Sequence, residues 1–95
     1  MITPLPANAI DEALQDLPEW SYEDDQLTKT FLLKNFRDAM AFLLRIGFEA
    51  EALNHHPQLY NVYNKVQIHL TTHDCGNKVS HKDISLAKKI EQIPH

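Results

Sequence analysis

Apolar residues recur at helical spacing in three stretches of this chain and alternate at strand spacing in the segments between them. After Thr3-Pro4-Leu5-Pro6, the residues Ile10, Ala13, Leu14 and Leu17 fall three and four apart, which is one stripe of an amphipathic helix. Asn8 is placed to cap that helix, Asp11 sits favourably in its first turn, and Pro18 stops it. From Trp20 to Leu33 the pattern changes to a hairpin. Trp20 and Tyr22 share a parity, Asp24-Asp25-Gln26 makes the turn, and Thr28, Thr30 and Phe31 favour a returning strand.

Asn35 with Asp38 marks the start of the longest helix, which runs to about Asn54. Its predicted buried stripe is Phe36, Met40, Leu43, Leu44, Gly47, Ala50 and Leu53, with Gly47 allowing close packing against a neighbour. A second hairpin follows, with Asn64-Lys65 as its turn. That turn sets Tyr63 opposite Val66, Asn61 opposite Ile68 and Leu59 opposite Leu70, and leaves Gln67, His69, Thr71 and His73 on the other face. Ser80 and Asp83 form a capping-box relative that opens a last helix, whose buried side is Ile84, Leu86, Ala87, Ile90 and Ile93. The order is α-β-β-α-β-β-α. Three single-striped helices and four short strands pack most economically as an α+β domain, an antiparallel sheet with its helices on one face.

The composition narrows the function. Ninety-five residues, 43% hydrophobic and 23% charged, suit one ordinary globular domain spanning 1–95. A formal charge of -4 with scattered lysines and arginines argues against a nucleic-acid surface. The single cysteine, Cys75, rules out an intrachain disulfide and suits a reducing compartment. No charged and then apolar leader opens the chain, and no apolar run reaches membrane-spanning length, so the expected location is cytoplasmic.

Candidate chemistry gathers in Glu51-Ala-Leu-Asn-His55-His56-Pro57 and in His73. Glu51 and His55 are four apart at the end of the long helix, so the helix dipole and the carboxylate both favour a protonated His55. Pro57 forces His56 out of helical geometry, which points the adjacent rings in different directions. The antiparallel hairpin returns Thr72 and His73 to the level of His56 and Pro57, so His55, His56 and His73 meet at one end of the sheet. His69 and His81 read as solvated residues, His95 as a chain-end residue, and Cys75 as a small packed one. Trp20 and Tyr63 by default are core or interface aromatics, and Asp83 is explained by capping alone. A three-imidazole zinc site is conceivable, but adjacent histidines rarely ligate one ion without strain, and no HExxH or paired CxxC is present. No metal is expected.

Glu51, His55-His56-Pro57, Tyr63, His73 and Asp83, at their spacings, resemble the signature of the pterin-4α-carbinolamine dehydratases. Asn54-His-His-Pro-Gln-Leu-Tyr-Asn-Val-Tyr-Asn-Lys-Val through Cys75, the segment Ser80–Ile93 and Glu19-Trp20 are similar to that family as well. The resemblance implies a four-stranded antiparallel sheet with three helices on one face, assembled as a homodimer or homotetramer. It implies elimination of water from 4a-hydroxytetrahydropterin, the pterin being substrate rather than cofactor, in recycling the pterin used by an aromatic amino acid hydroxylase. It assigns acid-base catalysis to His55, His56 and His73. Glu51 becomes an orienting partner of His55, Pro57 shapes the pocket, Trp20 lines it, and Asp83 completes the motif. The alternative is a non-catalytic dimerisation or protein-interaction module of the same fold. No nucleic-acid or membrane partner is expected.

Overall fold

The computed structural model describes residues 2–95. Its elements are α1 (Ala7–Leu14), β1 (Ser21–Glu23), β2 (Gln26–Leu32), α2 (Phe36–Ala52), β3 (Gln58–Val62), β4 (Lys65–Leu70) and α3 (His81–Gln92), with a 3₁₀ turn at His73–Cys75 before α3. The expected α-β-β-α-β-β-α order and α+β class are what the chain adopts.

The sheet runs β1-β2-β4-β3 and every neighbouring pair is antiparallel. Strand alternation decides its two faces. Leu27 and Phe31 of β2 and Val66, Ile68 and Leu70 of β4 turn inward and are buried with Ile10, Phe42, Ile46, Leu86 and Ile90 from the helices. Phe31 packs against Phe42 with ring centroids 4.8 Å apart and the rings tilted by 57°. One polar residue shares this inward parity. Lys29 is buried, and its ammonium donates to the Pro18 carbonyl at 2.8 Å and to Glu91 Oε2 at 2.6 Å, so the desolvated charge is paired.

Four local expectations change. Pro6, rather than Asn8, is the residue that precedes α1, and Asn8 and Asp11 lie inside the helix with neither acting as a cap or a first-turn acid. The first hairpin turns on Asp24 and Asp25 alone, both left-handed at φ 52° and 61°, a two-residue turn that suits strand twist. Gln26 already belongs to β2 and pairs with Glu23.

The second hairpin turns on Tyr63-Asn64 instead of Asn64-Lys65, which pairs Val62 with Lys65, Asn61 with Val66 and Leu59 with Ile68. Tyr63 takes φ 51°, a conformation costly for a bulky residue. Its carbonyl accepts the Asn61 amide at 3.1 Å, and the Asn64 side chain donates to the Leu33 carbonyl at 2.9 Å. The register therefore differs from expectation by two residues. A slip of two keeps every side chain on its face, where a slip of one would have inverted the strand.

Of the predicted stripe of the long helix, only Ala50 is fully buried. Ala39, Phe42, Ile46 and Ala50 face the core, whereas Phe36, Leu44 and Phe48 are 49%, 64% and 71% exposed. Met40, Leu43 and Leu53 are half-buried. Gly47 is on the outer side, where an added Cβ would meet nothing within 4 Å, so close packing does not explain it. Two apolar stripes lie on this helix, and the one with more large residues is the outer one. The cap is as expected, with Asn35 accepting the Asp38 amide at 2.8 Å.

Candidate active site

The site begins with the way α2 ends. Leu53 closes the helix and Asn54 takes the left-handed φ of 52°. The Asn54 amide donates to the Glu51 carbonyl and the His55 amide to the Ala50 carbonyl, both at 3.0 Å. That pair of bonds is a Schellman motif, built on Asn where Gly is more usual. The left-handed residue turns the chain inward, so His55 leaves the helix path and becomes buried while His56 stays exposed.

This turn overrides the expected pairing of Glu51 with His55. Glu51 Oε1 lies 2.8 Å from His56 Nε2 instead, in an exposed pair. The four-residue neighbour rule holds only while the helix continues. His55 Nε2 meets Asp83 Oδ1 at 2.5 Å, with side-chain exposures of 9% and 0%. With Asp83 as a carboxylate, which only accepts, the proton of this bond sits on Nε2, and Nδ1 is the ring nitrogen that Asp83 does not engage. Asp83 thus does more than cap. Its Oδ2 accepts the Ser80 amide at 2.9 Å, completing the expected capping box, and the Thr72 hydroxyl at 2.8 Å.

His73 does not extend β4, as the sequence reading has it, because that strand ends at Leu70. Thr72 pairs with Lys78 in an isolated bridge, and the intervening loop contains the 3₁₀ turn that presents His73. Gly76 closes that turn at φ 80°, a value that favours glycine. Lys78 Nζ binds Asp25 Oδ2 at 2.8 Å and the Thr71 hydroxyl donates to the Asp25 carbonyl at 3.2 Å, which ties the loop to the first hairpin. The hydrogen bond from Lys78 holds the Asp25 carboxyl below its ordinary value, and the same bond raises the Lys78 ammonium.

These elements open on one cavity of about 220 Å³, lined by His55, His56 and His73 with Asn54, Thr71, Thr72, Asp74 and Lys82. Continuing the observed β3–β4 register puts His55 level with Thr72, so the two-residue slip carries His55 into the network rather than out of it. Trp20 does not line this cavity: its indole donates to Glu91 Oε2 at 2.8 Å, the oxygen that also holds Lys29. Glu51 and Pro57 are likewise outside the lining, the first paired with His56 and the second leading into β3. His69 lies on the open face, with Nδ1 3.1 Å from Gln26 Oε1. Among the described residues, no three His, Cys, Asp or Glu side chains are grouped to hold a metal ion.

The family model for pterin 4 alpha carbinolamine dehydratase matches residues 3–93. The chain belongs to the pterin-4-alpha-carbinolamine dehydratase family. A protein of Opitutus terrae provisionally named as such a dehydratase is 50% identical over 84 residues, 88% of this chain and 87% of its own. A protein of Rhizorhabdus wittichii with the same provisional name is 42% identical over 97% of this chain and 96% of its own. The crystal structure of a transcriptional coactivator/pterin dehydratase from Brucella Melitensis superposes with a TM-score of 0.92, at 35% identity, covering 98% of this chain and all of the other.

For a member of this dehydratase family, the sequence motif marks the imidazoles but not what holds them. Thr72 and Asn54 were missed. The only signal for Asn54 was its type, one of the few that tolerates a left-handed backbone directly after a helix. For Thr72 the hairpin pairing gave its place level with His56 and Pro57, but nothing of the bonds its hydroxyl makes.

Proposed function

We propose that the protein dehydrates 4a-hydroxytetrahydropterin to quinonoid dihydropterin through its histidines, in the recycling of a pterin used by an aromatic amino acid hydroxylase. The observation that carries this reading is the cavity shared by three imidazoles, one of them seated on a buried carboxylate. In the reaction the N5 lone pair moves toward C4a and the C4a–O bond breaks. An acid gives the departing hydroxyl its proton, so that it leaves as water. A base then takes the N5 proton and the N5=C4a double bond remains. No electrons are gained or lost overall.

His55 suits the donor role. Asp83 fixes Nε2, so a proton on Nδ1 is the one to leave, and the imidazole that remains is a single tautomer. His73, on an open loop, suits the base, and His56, steadied by Glu51, orients the departing oxygen. General acid-base groups of this kind contribute about 10²–10⁴-fold. The deciding experiment is a direct assay of carbinolamine dehydration with purified protein. Acceleration well above buffer supports the reading. A rate equal to buffer would sink it and return the chain to the interaction-module reading.

A further inference from the structure

Asp83 makes one bond that neither capping nor the seating of His55 requires. Oδ1 receives His55, and Oδ2 receives the Ser80 amide that completes the cap. The remaining bond to Oδ2 comes from the Thr72 hydroxyl at 2.8 Å. Thr72 is 2% exposed, and Ser80 and Asp83 are 0% exposed, so water cannot replace a lost partner. A count of protons fixes the directions. Thr72 gives its one hydroxyl proton to Asp83, so Ser80 Oγ, 2.6 Å away, donates to Thr72 and itself accepts the Lys82 amide at 3.2 Å.

The other end of Thr72 roots the His73 loop. Its amide donates to the Lys78 carbonyl at 2.9 Å, and its carbonyl accepts the Asn77 amide at 3.1 Å and the Cys75 amide at 3.3 Å. The His73 side chain is 91% exposed, and among the described residues its only hydrogen-bond or ion partner is its neighbour Asp74, at 3.3 Å. The ring therefore has no anchor of its own in the body of the protein, and its place over the cavity is set by the backbone that Thr72 holds.

We propose that Thr72 is a positioning residue that couples the two imidazoles, tying the loop that carries His73 to the carboxylate that seats His55. This rests on the dehydratase reading of His55 and His73. Thr72→Val keeps the shape and removes the hydroxyl. Its kcat for dehydration should fall about ten- to a hundredfold with KM little changed, as a misplacement of about 1 Å can do. Thr72→Ser restores the hydroxyl and should recover most of the rate. Nitrogen-15 spectra of the imidazoles should move at both His55 and His73 in the Val variant and at neither in the Ser variant.

Wild-type kcat in Thr72→Val overturns the proposal, and so does a folded Thr72→Ser as impaired as the Val variant. If the Val variant does not fold, the wild type decides. The Thr72 hydroxyl proton should then give its own resonance, separate from water, and its averaging with water overturns the clamp. If the wild type shows no dehydration above buffer, the dehydratase reading fails, while the imidazole spectra still judge the clamp.

Discussion

At the scale of single residues, the left-handed Asn54 decides which carboxylate each histidine meets. The convergence of His55, His56 and His73 was legible in the sequence, because their spacing brings them together once the hairpin is drawn. The partners were not legible. Helix periodicity extrapolates smoothly past Leu53, and nothing in it warns that one residue reverses the direction of the chain. Substituting the histidines tests the assignment. His55→Ala and His73→Ala should each lose about 1.4–3 kcal/mol of transition-state stabilisation, read as kcat/KM. His69→Ala, outside the cavity, should change it little, and a loss equal to that of His73→Ala would show the site to be misplaced. Since the proposed elimination asks only proton transfers of the protein, prolonged EDTA treatment should leave the rate unchanged. Loss of rate restored by zinc would point to a bound metal.

At the scale of elements, α2 shows why an apolar pattern can be read correctly as a helix and wrongly as to its face. Its start, length and cap followed from the sequence. The choice between two stripes depended on which one the sheet reaches, a tertiary fact that the pattern does not contain. The stripe Ala39-Phe42-Ile46-Ala50 is the one buried in the core, and Leu44 and Phe48 are left outside. Ile46→Ala should cost about 2–5 kcal/mol in denaturant unfolding, because it opens a cavity in the core. Leu44→Ala should stay within about 0.5 kcal/mol in dilute protein. Reversed magnitudes in those two unfolding curves would mean that the helix is turned the other way. The β3–β4 hairpin makes the complementary case, since alternation fixes its faces while the choice of turn residues shifts its register by two.

At the scale of the whole molecule, two apolar surfaces lie outside the core. The outer side of α2 forms a hollow of about 510 Å³ lined by Met40, Leu43, Leu44, Gly47 and Phe48. The β3 edge and its turn leave Leu59, Tyr60, Val62 and Tyr63 39%, 54%, 49% and 63% exposed. Contiguous apolar surface and an unpaired strand edge both favour association. Light scattering at micromolar concentration should give a mass of two or four times the 11.0 kDa chain, and a value of 11.0 kDa would exclude it. The long-range tie between Asp25 and Lys78 makes a separate prediction in pH. Asp25 titrates below its ordinary 3.8 in the folded chain, so its contribution is present above that value and is lost as pH falls through the folded one. Lys78 titrates above its ordinary 10.5, so its contribution is complete below that value and is lost as pH rises through the folded one. Thermal midpoints of wild type and Asp25→Asn should therefore differ near neutrality and converge in strong acid. A constant gap across that acid range would argue against the ion pair.

The Asp83 carboxylate joins a helix start, a loop root and an imidazole in one buried knot. On warming, loss of the first turn of α3 should therefore loosen His55 and the root of the His73 loop together, and a melting curve read at that turn should coincide with one read at the His55 ring.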